Sequence, residues 1–144
     1  MGYSVSPAVR AQRRAAATRH GAQSGAVLVP LSRNVKQSIL KRMGLRQAEL
    51  SWQGKEMLDL YARNKSKLIA LDRYFESTPL IGPDGAPDGA TKIYWLAYNA
   101  AVRSLSELRA TVEAMAREDH RFDRALTALA VEGRKVRGAS SGDD

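Results

Sequence analysis

The sequence predicts an all-α fold: an antiparallel two-helix hairpin with flanking short helices and a flexible basic N-terminal arm. Three observations carry this expectation. From Lys55 to Glu76, apolar or near-apolar residues fall at Met57, Tyr61, Asn64, Leu68, Leu71 and Phe75, in steps of 4, 3, 4, 3 and 4. The same rhythm returns between Thr91 and Arg117 at Tyr94, Tyr98, Ala101, Leu105, Leu108, Val112 and Met115. Steps of three and four place side chains on one stripe of a helix. Between the two stretches, "STPLIGPDGAPDGA" contains Pro-Asp-Gly twice, a turn signal that reverses the chain.

The elements follow in order. Residues 1–34 are rich in Ala, Arg, Gly and Ser and read as a basic arm and linker. Ser6 before Pro7 suits a cap and first helical position, so a helix can run to about Arg19. Such a short helix is marginal alone and is expected to order on binding. Gly21 to Leu31 reads as linker. Residues 35–54 form a short helical segment: Asn34 can cap "VKQSILKRM", Gly44 stops it, and "LRQAELSWQ" follows as a second short helix that Gly54 weakens.

Residues 55–117 are the hairpin, expected to carry oligomerisation. Asn64 is the one polar residue on the first stripe, where a buried Asn can set register. A second apolar set, Leu60, Ile69, Ile93, Leu96, Ala97 and Ala100, needs cover from the flanking helices or from other subunits. A homo-oligomer is expected; a closed monomeric bundle of four or five helices is the alternative. Residues 118–144 comprise a short helix from Asp119 to Glu132, with Phe122, Leu126 and Leu129 on one face, and a polar tail after Gly133.

Composition narrows the function classes. The 144 residues include no cysteine, which removes disulfides, zinc ribbons and thiol nucleophiles. No apolar run approaches the roughly 18 residues of a membrane span, so no membrane partner is expected. The two histidines, His20 and His120, lack metal-ligand spacing, and "GPDGAPDG" lacks the Lys-Ser/Thr of a phosphate loop. Glu118, Asp119 and His120 are adjacent and so diverge on a helix. The chain is expected to be no enzyme and to need no cofactor or metal.

Charge gives the positive signal. Net charge is +8, and the first acid is Glu49. Nine basic residues precede it: Arg10, Arg13, Arg14, Arg19, Arg33, Lys36, Lys41, Arg42 and Arg46. The remainder is nearly neutral, so the excess sits in the first third and points to a polyanion, double-stranded DNA first. Arg10, Arg13 and Arg14 share a face if helical, and Arg42 and Arg46 repeat the i, i+4 spacing if the break at Gly44 is mild. The guanidinium fork suits phosphate, and each contact releases counterions. Trp52 and Trp95 are open to base stacking, whereas Tyr94 and Tyr98 belong to the packing seam. "ILKRMGLRQAELS" is similar to the first part of a helix-turn-helix, but the recognition helix would have to be the start of the hairpin.

From Met57 to Met115 the chain resembles bacteriophage terminase small subunits. The residues that carry this are "LDLYARNKSKLIALDRYFES", the Gly/Pro/Asp loop and "TKIYWLAYNAAVRSLSELRATVEAM". The resemblance implies a DNA-binding oligomer of the bacterial host cytoplasm that recognises viral DNA and recruits or regulates the terminase large subunit for genome packaging. It also implies that Arg134, Lys135 and Arg137 near the tail contact that large subunit. Two other readings stay open: a nucleoid-associated or transcriptional DNA-binding protein, and a structural or scaffolding protein whose basic arm meets acidic protein.

Overall fold

The computed structural model describes residues 6–8 and 25–138, and within 25–138 it is built of four α-helices. They are α1 (Gly25–Met43), α2 (Trp52–Phe75), α3 (Gly89–Glu118) and α4 (Asp123–Gly138). The expected arm helix lies outside the described residues except at its start, where Pro7 and Ala8 are helical.

Helix α1 begins earlier than its sequence suggests, at Gly25 within the expected linker. Asn34 therefore lies inside it rather than capping it. Pro30 is exposed in the second turn, where its missing N–H forfeits a single backbone bond. Ile39 and Met43 are buried one turn apart, with Val35 and Leu40 packed beside them. Gly44 ends the helix with φ +70°, the left-handed conformation that glycine adopts without a side-chain clash. Its N–H donates to Lys41 O and that of Leu45 to Leu40 O, both at 3.2 Å, a Schellman closure that satisfies two orphan carbonyls. Leu45 tucks into the core.

The expected second short helix is only a 3₁₀ turn, Gln47–Glu49. The real start of the next helix is Ser51, whose Oγ accepts from Gly54 N at 3.1 Å. Gly54 does not interrupt α2. It is buried in the first turn, where an added Cβ would stand 3.5 Å from Thr111 on α3.

Helices α2 and α3 form the hairpin. Gly54 approaches Thr111 at one end, and Phe75 meets Tyr94 edge-on at the other, so the two run antiparallel. The loop closes through paired backbone bonds, Asp88 N to Leu80 O and Gly82 N to Ala86 O, each 2.8 Å. Asp88 then caps α3 by accepting from Ala90 N, and Tyr74 holds its other oxygen at 2.9 Å.

The heptad seam is buried through its middle: Tyr61, Leu68, Leu71, Ala101, Leu105, Leu108 and Val112. At its ends the register moves by about one residue. Met57, Phe75, Tyr94, Tyr98 and Met115 are half-buried, while Leu58, Ala97 and Ala116 are buried. A straight helix drifts roughly 20° per heptad from a strict seven-residue repeat, enough over three heptads to pass the inward position to a neighbour. Asn64 is half-buried and donates to Leu60 O of its own helix, so it bridges nothing across the seam.

Asp119 caps a 3₁₀ turn, His120–Phe122, and α4 follows directly. Helix α4 runs through Gly133 to Gly138, so the residues expected as tail are helical. Helices α1 and α4 both pack on the hairpin, and all four contribute to one core. A second small cluster, Leu71 and Ala90 with Phe75, Ile93 and Tyr94, fills the loop end of the hairpin.

Candidate functional site

Four of the nine front-end cations, Arg10, Arg13, Arg14 and Arg19, lie outside the described residues. The other five lie on α1 or in the turn after it, and folding divides them. Lys36 pairs with Asp59 of α2. Arg42 donates from Nη1 to Glu132 Oε2 of α4 at 2.5 Å and from Nη2 to Ser38 Oγ at 3.0 Å. Arg46 stands 3.9 Å from Glu49, whose carboxylate also accepts from the Arg46 backbone N–H at 2.7 Å. Three residues expected to grip phosphate are thus engaged by carboxylates that come later in the chain. The left-handed Gly44 also places Arg42 and Arg46 on different elements, so the expected i, i+4 pair does not form.

Arg33 and Lys41 are different. Both are exposed, and neither makes an ion pair among the described residues. With Gln37 they fall at i, i+4 and i+8, one slowly turning stripe of α1. Asn34 and Ser38 border it and are also exposed. That outer face of α1 presents cations, amides and a hydroxyl with no carboxylate. Arg63 of α2 lines a shallow groove with Arg33 and Gln37 of the stripe, and Asp59, the partner of Lys36, lines it too. Sequence reading missed Arg63, because it sits in a helix of mixed charge and only the α1–α2 packing brings it to Arg33.

The Arg42 contact belongs to a buried polar cluster. Glu132 is 6% exposed, and Tyr61, wholly buried, donates its hydroxyl to Glu132 Oε1 at 2.7 Å. Burial, and then the Glu132 carboxylate, push the Tyr61 hydroxyl far above the usual tyrosine range, so it stays a neutral donor. One carboxylate therefore receives a donor from α1 and another from α2, with both of its oxygens in use. This arrangement ties α1, α2 and α4 together, with each carboxylate oxygen already accepting a hydrogen bond from within the chain.

The remaining residues of interest spread over the surface. Trp52 is 78% exposed at the start of α2, far from the hairpin loop, and Trp95 is 54% exposed on α3. Tyr94 and Tyr98 are half-buried and flank Trp95 in edge-on contacts. Burial raises both Tyr94 and its neighbour Asp72 above their ordinary values. His120 is exposed beside Asp123, at 3.5 Å. Among the described residues no group of three or more His, Asp or Glu is arranged to hold a metal, and no helix is long and apolar enough to cross a membrane. Arg134, Lys135 and Arg137 are exposed on the last turns of α4.

No family model, curated protein or solved structure matches this chain.

Proposed function

We propose that the chain is a non-enzymatic protein that binds double-stranded DNA through the outer face of α1, with Arg10, Arg13, Arg14 and Arg19 as further phosphate contacts. The observation that carries this reading is the exposed stripe Arg33, Asn34, Gln37, Ser38 and Lys41, which itself holds no carboxylate, with Arg63 lining the groove beside Arg33 and Gln37 and the one carboxylate of that groove, Asp59, paired with Lys36. An α-helix fits the major groove, cations position it on phosphates, and Asn and Gln amides read adenine edges. At 1.5 Å per residue, α1 offers a rod of roughly 28 Å, more than two turns of which face outward. The similarity of the hairpin to terminase small subunits supports a role in viral genome packaging, with a large subunit as partner. Several copies acting together would multiply weak arms into useful avidity.

The amides at Asn34 and Gln37 also favour a second reading, a regulator that reads a short operator. Footprinting separates the two, because a regulator protects one brief site.

The test uses the full chain and a labelled duplex at two salt concentrations, read by fluorescence anisotropy. Replacing Arg33, Lys41 and Arg63 with Ala is expected to weaken binding on every sequence and to flatten the salt slope by about 2 to 3, near 0.9 for each phosphate no longer neutralised. All three side chains are exposed, so the fold should melt as before. An unchanged slope overturns the assignment of this face.

A further inference from the structure

Helix α1 stands at a corner of the bundle. It packs on α2 and on α4, and α3 packs on the same two helices from the opposite side. Two flanks of α1 are therefore walled, and the arc between them faces solvent. The stripe of Arg33, Gln37 and Lys41 lies on that arc. Arg33 and Gln37 line the groove toward α2. Ser38 marks the other flank, since it accepts from Arg42, which reaches Glu132 of α4.

Each flank carries an exposed arginine that forms no ion pair among the described residues. On the α2 side it is Arg63, which lines the groove. On the α4 side it is Arg124, whose side chain lies against the left-handed turn that ends α1. A Cβ added at Gly44 would stand 3.4 Å from both its Cδ and its Nε. The Gly44 N–H donates to Lys41 O, so Arg124 sits at the end of the stripe. The negative end of the α1 dipole favours a cation there. The neighbouring carboxylates have other partners. Asp59 in the α2 groove pairs with Lys36, and Asp123, beside Arg124 in sequence, stands 3.5 Å from His120.

The two arginines thus lie on opposite sides of one helix, whose diameter with side chains is roughly 10–12 Å. The major groove of B-form DNA is about 12 Å wide, with a phosphate strand along each rim. We infer that α1 seats between the two strands of one groove, with Arg63 of α2 on the phosphates of one strand and Arg124 of α4 on those of the other. The inference rests on the DNA reading of α1 and adds to it a second flank and a form of nucleic acid. A single strand offers one line of phosphates and satisfies one flank only. The major groove of an RNA duplex is too deep and narrow to admit a helix.

The test uses the full chain, fluorescence anisotropy and three ligands: a DNA duplex, the same duplex with one strand made of uncharged methylphosphonates, and an RNA duplex of the same sequence. On the DNA duplex, Arg63→Ala and Arg124→Gln are each expected to lower the salt slope by about 0.9, and the double variant by about 1.8. On the half-neutral duplex the double variant should lose only about 0.9, because one of the two cations already has no phosphate to meet. Arg124→Lys keeps the charge and should keep the slope, which a merely structural role for the guanidinium would not require. The RNA duplex should bind about tenfold more weakly than the DNA duplex at the same salt. An unchanged slope with Arg124→Gln, a loss of about 1.8 on the half-neutral duplex, or equal affinity for RNA overturns the inference. These failures differ from that of the DNA reading itself, in which Arg33→Ala with Lys41→Ala leaves the slope on DNA unchanged.

Discussion

Glu132 shows how one side chain changes the meaning of several others. A carboxylate almost wholly removed from water needs donors, and it finds two, the Tyr61 hydroxyl and the Arg42 guanidinium. In the sequence Arg42 looks like Arg33: both are basic residues in a stretch without acids. Their difference rests on a partner 90 residues further along, which no local spacing reveals. The same applies to Lys36 and Asp59. Arg42→Gln should therefore act on stability rather than on DNA. It removes the ion pair but keeps a donor near Glu132. Because Arg42 is partly solvated, the expected loss is about 1 to 3 kcal/mol rather than the larger figure for a fully buried pair. Urea denaturation measures this loss, and the salt slope of duplex binding should not move. A flattened slope with intact stability would return Arg42 to the DNA-binding face.

At the scale of elements, the sequence was most legible where its signals are local. The Pro-Asp-Gly loop, the stop at Gly44 and the middle of the heptad seam all depend on neighbours within a turn or two. The errors have equally physical origins. Residues 21–31 read as linker, but α1 starts at Gly25, and Pro30 within it removes only one bond near the helix start. Gly133 suggested an end, but Val136 beyond it is buried and extends the helix. The outer seam positions slipped because 3.5 and 3.6 residues per turn diverge with length. The terminator of α1 gives a direct check. Gly44→Ala forces a Cβ into the left-handed region and is expected to lower stability by roughly 1 kcal/mol. Gly44→Asn should lose less. The denaturation midpoint should fall with an unchanged slope, because only a local conformation is affected. The Arg124 side chain stands 3.4 Å from that Cβ and can swing aside, so strain rather than collision sets the magnitude.

For the whole molecule, the heptad seam closes the hairpin within the chain, while the second apolar set, expected to be covered by flanking helices or other subunits, is covered only in part: Ala97 is buried, but Leu60 and Leu96 stay exposed. Four helices close over Tyr61, Leu105, Leu108 and Val112, as in the alternative of a single closed bundle. The sequence could not choose, because an apolar stripe looks the same whether its cover comes from the same chain or another. Any assembly must then use what stays outside. Trp95, Leu96, Leu80 and Ile81 are each more than half exposed, all toward the loop end of the hairpin, away from the α1 stripe. Exposed apolar groups gathered in one region favour association. Light scattering of the free protein should give a mass that is a multiple of 15.8 kDa, and Trp95→Lys with Leu96→Lys should reduce it to one chain without loss of helix content. A single-chain mass for the unaltered protein would remove oligomerisation from the proposed function.

Glu132 of α4 reaches inward to Arg42, next in sequence to Lys41 on the outer stripe of α1. Folding thereby neutralises one cation of α1, so the long-range attraction of a polyanion to this helix is weaker than its raw count of basic residues implies.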